Sequence, residues 1–272
     1  MKIGIIGGAG RMGQCFSALL ARENFEICVS DKNEEEARKI EEELGFRWVK
    51  SNAELAKESD IILISLPLNR LEEAVVEIAP FIRNEQIVVD ISSIKKASIK
   101  TMHKYLGRAT TLGVHPMFGP ETKDFSHENF VLVPTNQKEK RIAEKIEDYL
   151  IKKGANVVFL SPKEHDNSMS MVLGFPHFVG VTIAEVLFKT DIKKLKEASG
   201  PSFEILLELV ENVIFQDPCF YANLQMQLPG LEQVENDFFD QVKKWKGLIK
   251  SKDKESFVKN MKILSKKIEK LH

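Results

Sequence analysis

"KIGIIGGAGRMG", residues 2–13, decides how this chain begins to fold. The apolar run reads as a short buried strand, and the glycines lead into "GRMGQCFSALLARE", whose apolar residues recur at helical spacing. Gly8, Gly10 and Gly13 stand in the G-x-G-x-x-G pattern at the junction. In that pattern the first glycine permits a tight turn. The second lets a pyrophosphate approach the backbone, and the third lets the helix pack on its strand. The unpaired N–H groups and positive dipole end of such a helix favour phosphate. Arg11 and Met12 lie in the same loop, Arg11 as a phosphate neighbour. Asp31 closes the second strand, "FEICVSD", where a carboxylate can accept hydrogen bonds from an adenosine ribose. That charge would repel a 2′-phosphate, so NAD is expected, with NADP the alternative because Lys32 is adjacent. Pro67 and Asn69 follow another strand, "IILISLP", at an end where ligands collect in such sheets.

From there the pattern of strand and helix repeats. "RWVK", "IILISLP", "QIVVDIS", "TTLGVHP", "NFVLVPT" and "NVVFLS" read as further strands, with helices between most of them. Alternation of this kind predicts parallel pairing with right-handed crossovers, an α/β Rossmann-like doubly wound sheet over residues 1–160. Beyond Ser161 strand signals nearly stop and long helical patterns follow. An all-helical domain is expected over residues 161–272. Its most apolar stretch, residues 169–188, is interrupted by Pro176, His177 and Glu185. It reads as a helix buried on all sides, of the kind found in subunit interfaces, rather than as a membrane span.

Bulk composition narrows the partners. Thirty-nine basic and forty acidic side chains leave a net charge of -1, which offers no general attraction to nucleic acid or to an anionic membrane. A small-molecule substrate is the default. Cys15, Cys28 and Cys219 form no C-x-x-C pair, and no spacing suggests a metal site, so a reducing cytoplasm is expected and no metal. The N-terminus shows no signal-peptide pattern.

Six histidines compete for a chemical role. His272, His103 and His127 read as surface residues, and His165 as a cap or surface residue at a helix start. His115 ends a strand, at the edge where doubly wound sheets bind ligands, and Pro116 and the Gly119-Pro120 turn fix the loop beyond it. An imidazole there can take the proton of a hydroxyl as hydride leaves its carbon; a satisfied structural histidine is the alternative. Ser93 and Lys95 lie at the equivalent edge one strand earlier, where the hydroxyl could orient the imidazole and the lysine could hold a carboxylate. His177, in an apolar helix, either bonds a backbone carbonyl or faces a ligand.

Taken together, "GIIGGAGRMG", "DISSIKKAS", "GVHPMFGP" and "SPKEHDNSMSMVLGFPH" resemble the prephenate dehydrogenase family over roughly residues 2 to 225. The resemblance implies a dinucleotide domain followed by a helical dimerisation domain, with the active site between them and a homodimer as the working form. It implies NAD-dependent oxidative decarboxylation of prephenate to 4-hydroxyphenylpyruvate, or of arogenate to tyrosine. In that pattern His115 matches the catalytic histidine, Ser93 the serine beside it, and His177 a substrate-binding histidine. One family feature is missing. Aligning "QDPCFYANLQ" on the family's turn puts Ala222 where an arginine often grips the substrate's side-chain carboxylate, which leaves Lys95 or Lys96 as the candidate cation.

Overall fold

A computed structural model of the chain describes residues 1–39 and 41–271 with their side chains, and the backbone of residue 40. The chain forms two compact units, Met1–Met169 and Ser170–His272. The first carries strands β1 (Lys2–Ile6), β2 (Glu26–Ser30), β3 (Arg47–Trp48), β4 (Ile61–Ile64), β5 (Ile87–Asp90), β6 (Thr110–Pro116), β7 (Asn129–Val133) and β8 (Asn156–Phe159). Its helices are α1 (Arg11–Ala21), α2 (Glu34–Leu44), α3 (Asn52–Glu58), α4 (Leu68–Ile78), α5 (Lys95–Tyr105), α6 (Gln137–Lys152) and α7 (Pro162–Met169).

The strands form one sheet in the order β3-β2-β1-β4-β5-β6-β7-β8. All neighbours are parallel except β6 and β7. The fully parallel expectation therefore fails at one place. No helix occupies the link between Pro116 and Asn129, so nothing carries the chain back to the start of β6, and β7 returns antiparallel. Strand periodicity builds two cores. Ile62 and Ile64 pack into one layer while Leu63 faces the other; Val88 and Val89, and Val131 and Leu132, divide in the same way. All are nearly sealed from solvent, as strands covered by helices on both faces must be.

Parallel order brings the C-terminal ends of β1, β2, β4, β5 and β6 to a single edge, which positions the site. Close approach there depends on the glycines. The left-handed position of the turn is Gly7, at φ +81°, rather than Gly8. Gly8 is required for a different reason: a Cβ would sit 2.6 Å from Val29 Cβ. At Gly13 it would lie 2.2 Å from the Gly7 carbonyl oxygen, a backbone atom that cannot move aside.

The second unit is helical throughout its described residues. A π-helical turn, Ser170–Gly174, leads into α8 (Phe175–Leu187), followed by α9 (Ile192–Glu197), α10 (Pro201–Ile214), α11 (Pro218–Gln227), α12 (Leu231–Ser251) and α13 (Lys254–Ile268). Helices α8 and α10 meet closely at Gly180, where a Cβ would fall 2.7 Å from Val213. The apolar helix was expected to be buried on all sides, and within one chain it is not. Met171, Val172, Val181 and Val186 are exposed, as are Ile205 and Ile214 of α10. By length and composition alone, the helical run Pro162–Leu187 would suit a membrane span.

Candidate active site

At the glycine turn, the N–H groups of Gly7 and Gly8 bond the Ser30 carbonyl at 2.9 and 3.1 Å, which ties β1 to the end of β2. The Asp31 carboxylate accepts from Ala9 N–H at 3.0 Å and from Asn33 N–H at 3.0 Å. Helix α1 starts at Gly10 with no side-chain cap and no acidic residue in its first turn, so its leading N–H groups stay available to an anion. A Cβ at Gly10 would approach nothing nearer than Gly7 O at 3.3 Å, so the cradle is open on that side. These features fit a dinucleotide's phosphates. Pro67 caps α4, and the Ser65–Pro67 loop lies against the turn, Ser65 O being 2.4 Å from a Cβ placed on Gly7. Arg11 pairs with Glu121 at the surface, and Met12 packs partly buried against the core. Lys32 pairs with Glu73 at 2.6 Å. The lysine that could have balanced a 2′-phosphate already has a counter-ion.

Further along the same edge, β6 delivers His115, 4% exposed. Its Nδ1 lies 2.9 Å from Nε2 of His165, and Nδ1 of His165 lies 2.7 Å from Oδ1 of Asp166. Asp166 in turn accepts from the backbone N–H groups of Lys95 and Lys96, at 2.8 and 3.0 Å, where α5 begins. Burial, then the Lys95 charge and His165, hold His115 well below the ordinary histidine value. Burial also lowers His165, although Asp166 opposes it. Burial would raise Asp166, but its bonds from His165 and the two backbone N–H groups outweigh that and keep the carboxyl low. A neutral imidazole beside an ionised carboxylate follows.

Three expectations need correction. His165 is no surface or capping residue: it is 0% exposed and is the ring's partner, a role assigned in the sequence to Ser93. Ser93 is half-buried, and its hydroxyl bonds none of the described residues, whereas neighbouring Ser92 bonds Asp90. Lys95 does not reach for a substrate carboxylate. Its ammonium is fully buried and donates to Asp90 Oδ2 at 2.5 Å and to the Asp90 carbonyl at 2.8 Å. The side chain of Lys96 is exposed.

In the helical unit, His177 stacks on Tyr221 with ring centroids 3.5 Å apart and planes at 22°. Burial takes its value down to about 4. Ala222 follows on α11 and is exposed. Among the described residues no group of three or more His, Cys, Asp or Glu is placed to hold a metal ion.

Comparison with known proteins decides the family. The family model for the prephenate dehydrogenase nucleotide-binding domain matches residues 18–159, and that for the prephenate dehydrogenase dimerization domain matches residues 161–263. The chain belongs to the prephenate dehydrogenase family. A "probable arogenate/prephenate dehydrogenase" of Methanocaldococcus jannaschii is 32% identical over 270 residues, covering 98% of this chain and 60% of that protein. The chain spans about 60% of the length of the curated relatives it matches first. The prephenate dehydrogenase fold extends over the whole chain. The crystal structure of Aquifex aeolicus prephenate dehydrogenase with hydroxyphenyl propionate and NAD+ has a TM-score of 0.81 at 20% identity, covering 100% of this chain and 98% of that one. Synechocystis arogenate dehydrogenase has a TM-score of 0.78 at 16% identity and covers 100% of both chains. The family match begins at residue 18, after the glycine turn, so the reading of that turn rests on its own geometry.

Proposed function

We propose that the chain oxidises a cyclohexadienyl hydroxy acid with NAD and releases carbon dioxide. Prephenate is the first substrate, giving 4-hydroxyphenylpyruvate, and arogenate, giving tyrosine, is the alternative. The observation that carries this reading is a neutral, buried His115 whose Nδ1 is engaged. Its Nε2 is thereby left for a hydroxyl, at the sheet edge that also holds the glycine turn. A bound NAD supplies the hydride acceptor. His115 accepts the substrate's hydroxyl proton as the C4–H bond breaks, and departure of the ring carboxylate as carbon dioxide leaves an aromatic ring. Holding the ring in that position accounts for much of the rate. Of the two lysines considered for a substrate carboxylate, Lys96 is the one with an exposed side chain and takes that role here. His177 in the helical unit, stacked on Tyr221 and held neutral by burial, is proposed to bind substrate.

The residues 1–160 and 161–272 act on this reading as nucleotide and dimerisation domains. The exposed apolar residues of α8 and α10 serve as the contact with a second copy, and the working protein is cytoplasmic with free thiols. Initial rates of NAD and NADP reduction, with prephenate and arogenate in parallel, test the reading. Turnover of neither substrate with either nucleotide would overturn it.

Cofactor choice follows from Asp31. The Asp31→Ser variant is expected to raise the NADP-to-NAD ratio of kcat/KM by about tenfold or more, because removing one like charge beside a 2′-phosphate is worth on the order of 1.4 kcal/mol. An unchanged ratio would mean that Asp31 does not face the ribose.

The histidines also set the pH range. His115 must be neutral to accept a proton, and its value in the fold lies well below the ordinary 6.5. The acid limb of kcat/KM therefore falls well below pH 6.5, and the rate stays flat as pH drops through that value. Stability has the same sign. For His115, His165 and His177 the folded value is depressed, so their contribution is complete above about pH 6.5 and is lost as pH falls towards the folded values, about 4 for His177. Thermal melts should fall progressively between pH 6.5 and 4. An acid limb at 6.5 or above would contradict a buried, neutral His115.

A further inference from the structure

We propose that His165 and Asp166 are positioning residues that fix which nitrogen of His115 carries its proton, with the N-terminus of α5 as their anchor. The proposal rests on the dehydrogenase reading above, but its structural part can be tested without turnover. The protonation pattern follows link by link. Asp166 is held by two backbone N–H donors, from Lys95 and Lys96, so it is an ionised acceptor. Facing that carboxylate at 2.7 Å, Nδ1 of His165 must carry a proton. A neutral His165 then has a bare Nε2. The only way to form the 2.9 Å contact between this nitrogen and His115 Nδ1 is for His115 to donate. The remaining nitrogen of His115, Nε2, is left with its lone pair, the form needed to accept a hydroxyl proton.

The surrounding charges agree with this assignment. The charged and titratable groups around the pair are Lys95 and its partner Asp90 at the β5–α5 junction, and Asp166 on α7. The buried ammonium of Lys95 disfavours a second proton on either ring. His115 and His165 therefore stay neutral while the order of donors, starting at the helix N-terminus, determines the tautomer.

Asp166→Asn removes the ionised acceptor that sets that order. One oxygen of the side chain becomes an NH2 donor. If it takes the Oδ1 position, His165 must present a bare Nδ1 and carry its proton on Nε2. His115 Nδ1 then accepts, and the proton of His115 moves to Nε2, where it blocks the substrate hydroxyl. In either rotamer the NH2 meets a backbone N–H, that of Lys95 at the Oδ1 position and that of Lys96 at the Oδ2 position, so the variant also weakens the anchor at α5, and the proton order reverses in the first rotamer.

The test combines long-range proton–nitrogen NMR of histidine-labelled protein with steady-state kinetics. His115 is assigned by the signals that disappear in His115→Asn. In the wild-type protein at neutral pH, His115 is expected to be neutral with its proton on Nδ1. A proton on Nε2, or on both nitrogens, overturns the proposal whether or not any variant folds. In Asp166→Asn the proton is expected to be no longer confined to Nδ1 but shared with Nε2, with kcat lower by on the order of 100-fold or more and KM changed only a few-fold. An Asp166→Asn protein with the wild-type tautomer and wild-type kcat overturns it as well. If the wild-type protein turns over neither prephenate nor arogenate, the dehydrogenase reading fails, while the NMR result still decides the tautomer.

Discussion

Asparagine in place of His115 is expected to lower kcat by two or more orders of magnitude while leaving NAD affinity nearly unchanged. The amide matches one edge of the imidazole and can still bond His165, so the fold and the 4%-exposed pocket are retained. What it lacks is a nitrogen able to take up a proton, and general-base catalysis is worth about 10²–10⁴ in rate. On the proposed reading nucleotide affinity is held elsewhere, by the glycine turn and Asp31 at β1 and β2, whose hydrogen bonds among the described residues do not reach β6. The loss therefore belongs to kcat and to kcat/KM alike, the pattern of an interaction made in the transition state. Single-turnover kinetics with saturating NAD and a fluorescence titration of NAD would separate the two. Wild-type turnover would remove His115 from the chemistry, and a parallel loss of NAD affinity would show that the substitution had disturbed the sheet edge.

How much of this was legible in the sequence depended on whether the signal was local. All eight strands were readable, because a doubly covered strand must be apolar almost continuously and each run stops at a polar or glycine-rich junction. The antiparallel turn to β7 was not, since strand direction depends on whether a helix intervenes, and the irregular link after Pro116 gives no periodic signal in either direction. The glycine turn was placed correctly, yet its left-handed residue is Gly7 and not the first glycine of the fingerprint, because the spacing records where side chains cannot fit, not which residue turns the chain. His115 could be singled out from its position at a strand end. His165 could not, because its burial comes from α7 packing over α5, a contact between residues 70 positions apart. The one available signal was the aspartate that follows it. An acidic residue beside a histidine at a helix start, in a chain that also places a histidine at a sheet edge, is a candidate for a bonded pair. The apolar helix α8 was misjudged for the opposite reason: hydrophobicity shows that a surface must be covered, but not whether the same chain covers it.

Lys95 shows how a residue read as a ligand can be a structural counter-ion, and its replacement is expected to have the largest effect on stability. The Lys95→Met variant keeps the length of the aliphatic stem that packs beside Gly113 but leaves the Asp90 carboxylate buried without its cation. Removing one partner of a buried pair costs about 3–5 kcal/mol, because the remaining charge has lost both water and its counter-charge. At about 2–4 °C per kcal/mol for a chain of this size, the melting temperature of the first unit should fall by on the order of 10 °C. Asp90→Asn in the same protein should recover more than half of that loss. The amide is neutral, and its oxygen can still accept from the Ser92 N–H that Asp90 Oδ1 now bonds at 2.9 Å. A fall of less than about 2 °C in the single variant, or no recovery in the double, would mean that the pair is not the buried ion pair seen here. Turnover provides a second check. The bond from residue 95 to Asp166 is made by its backbone N–H, so the substitution leaves the anchor of His165 in place, and folded Lys95→Met should keep much of its kcat. Its pH profile should move, however. The lysine charge is the second cause, after burial, of the low value of His115, so without it the imidazole gains basicity and the acid limb of kcat/KM shifts upward towards 6.5. A melting temperature that falls together with an unmoved acid limb would confine Lys95 to holding the fold.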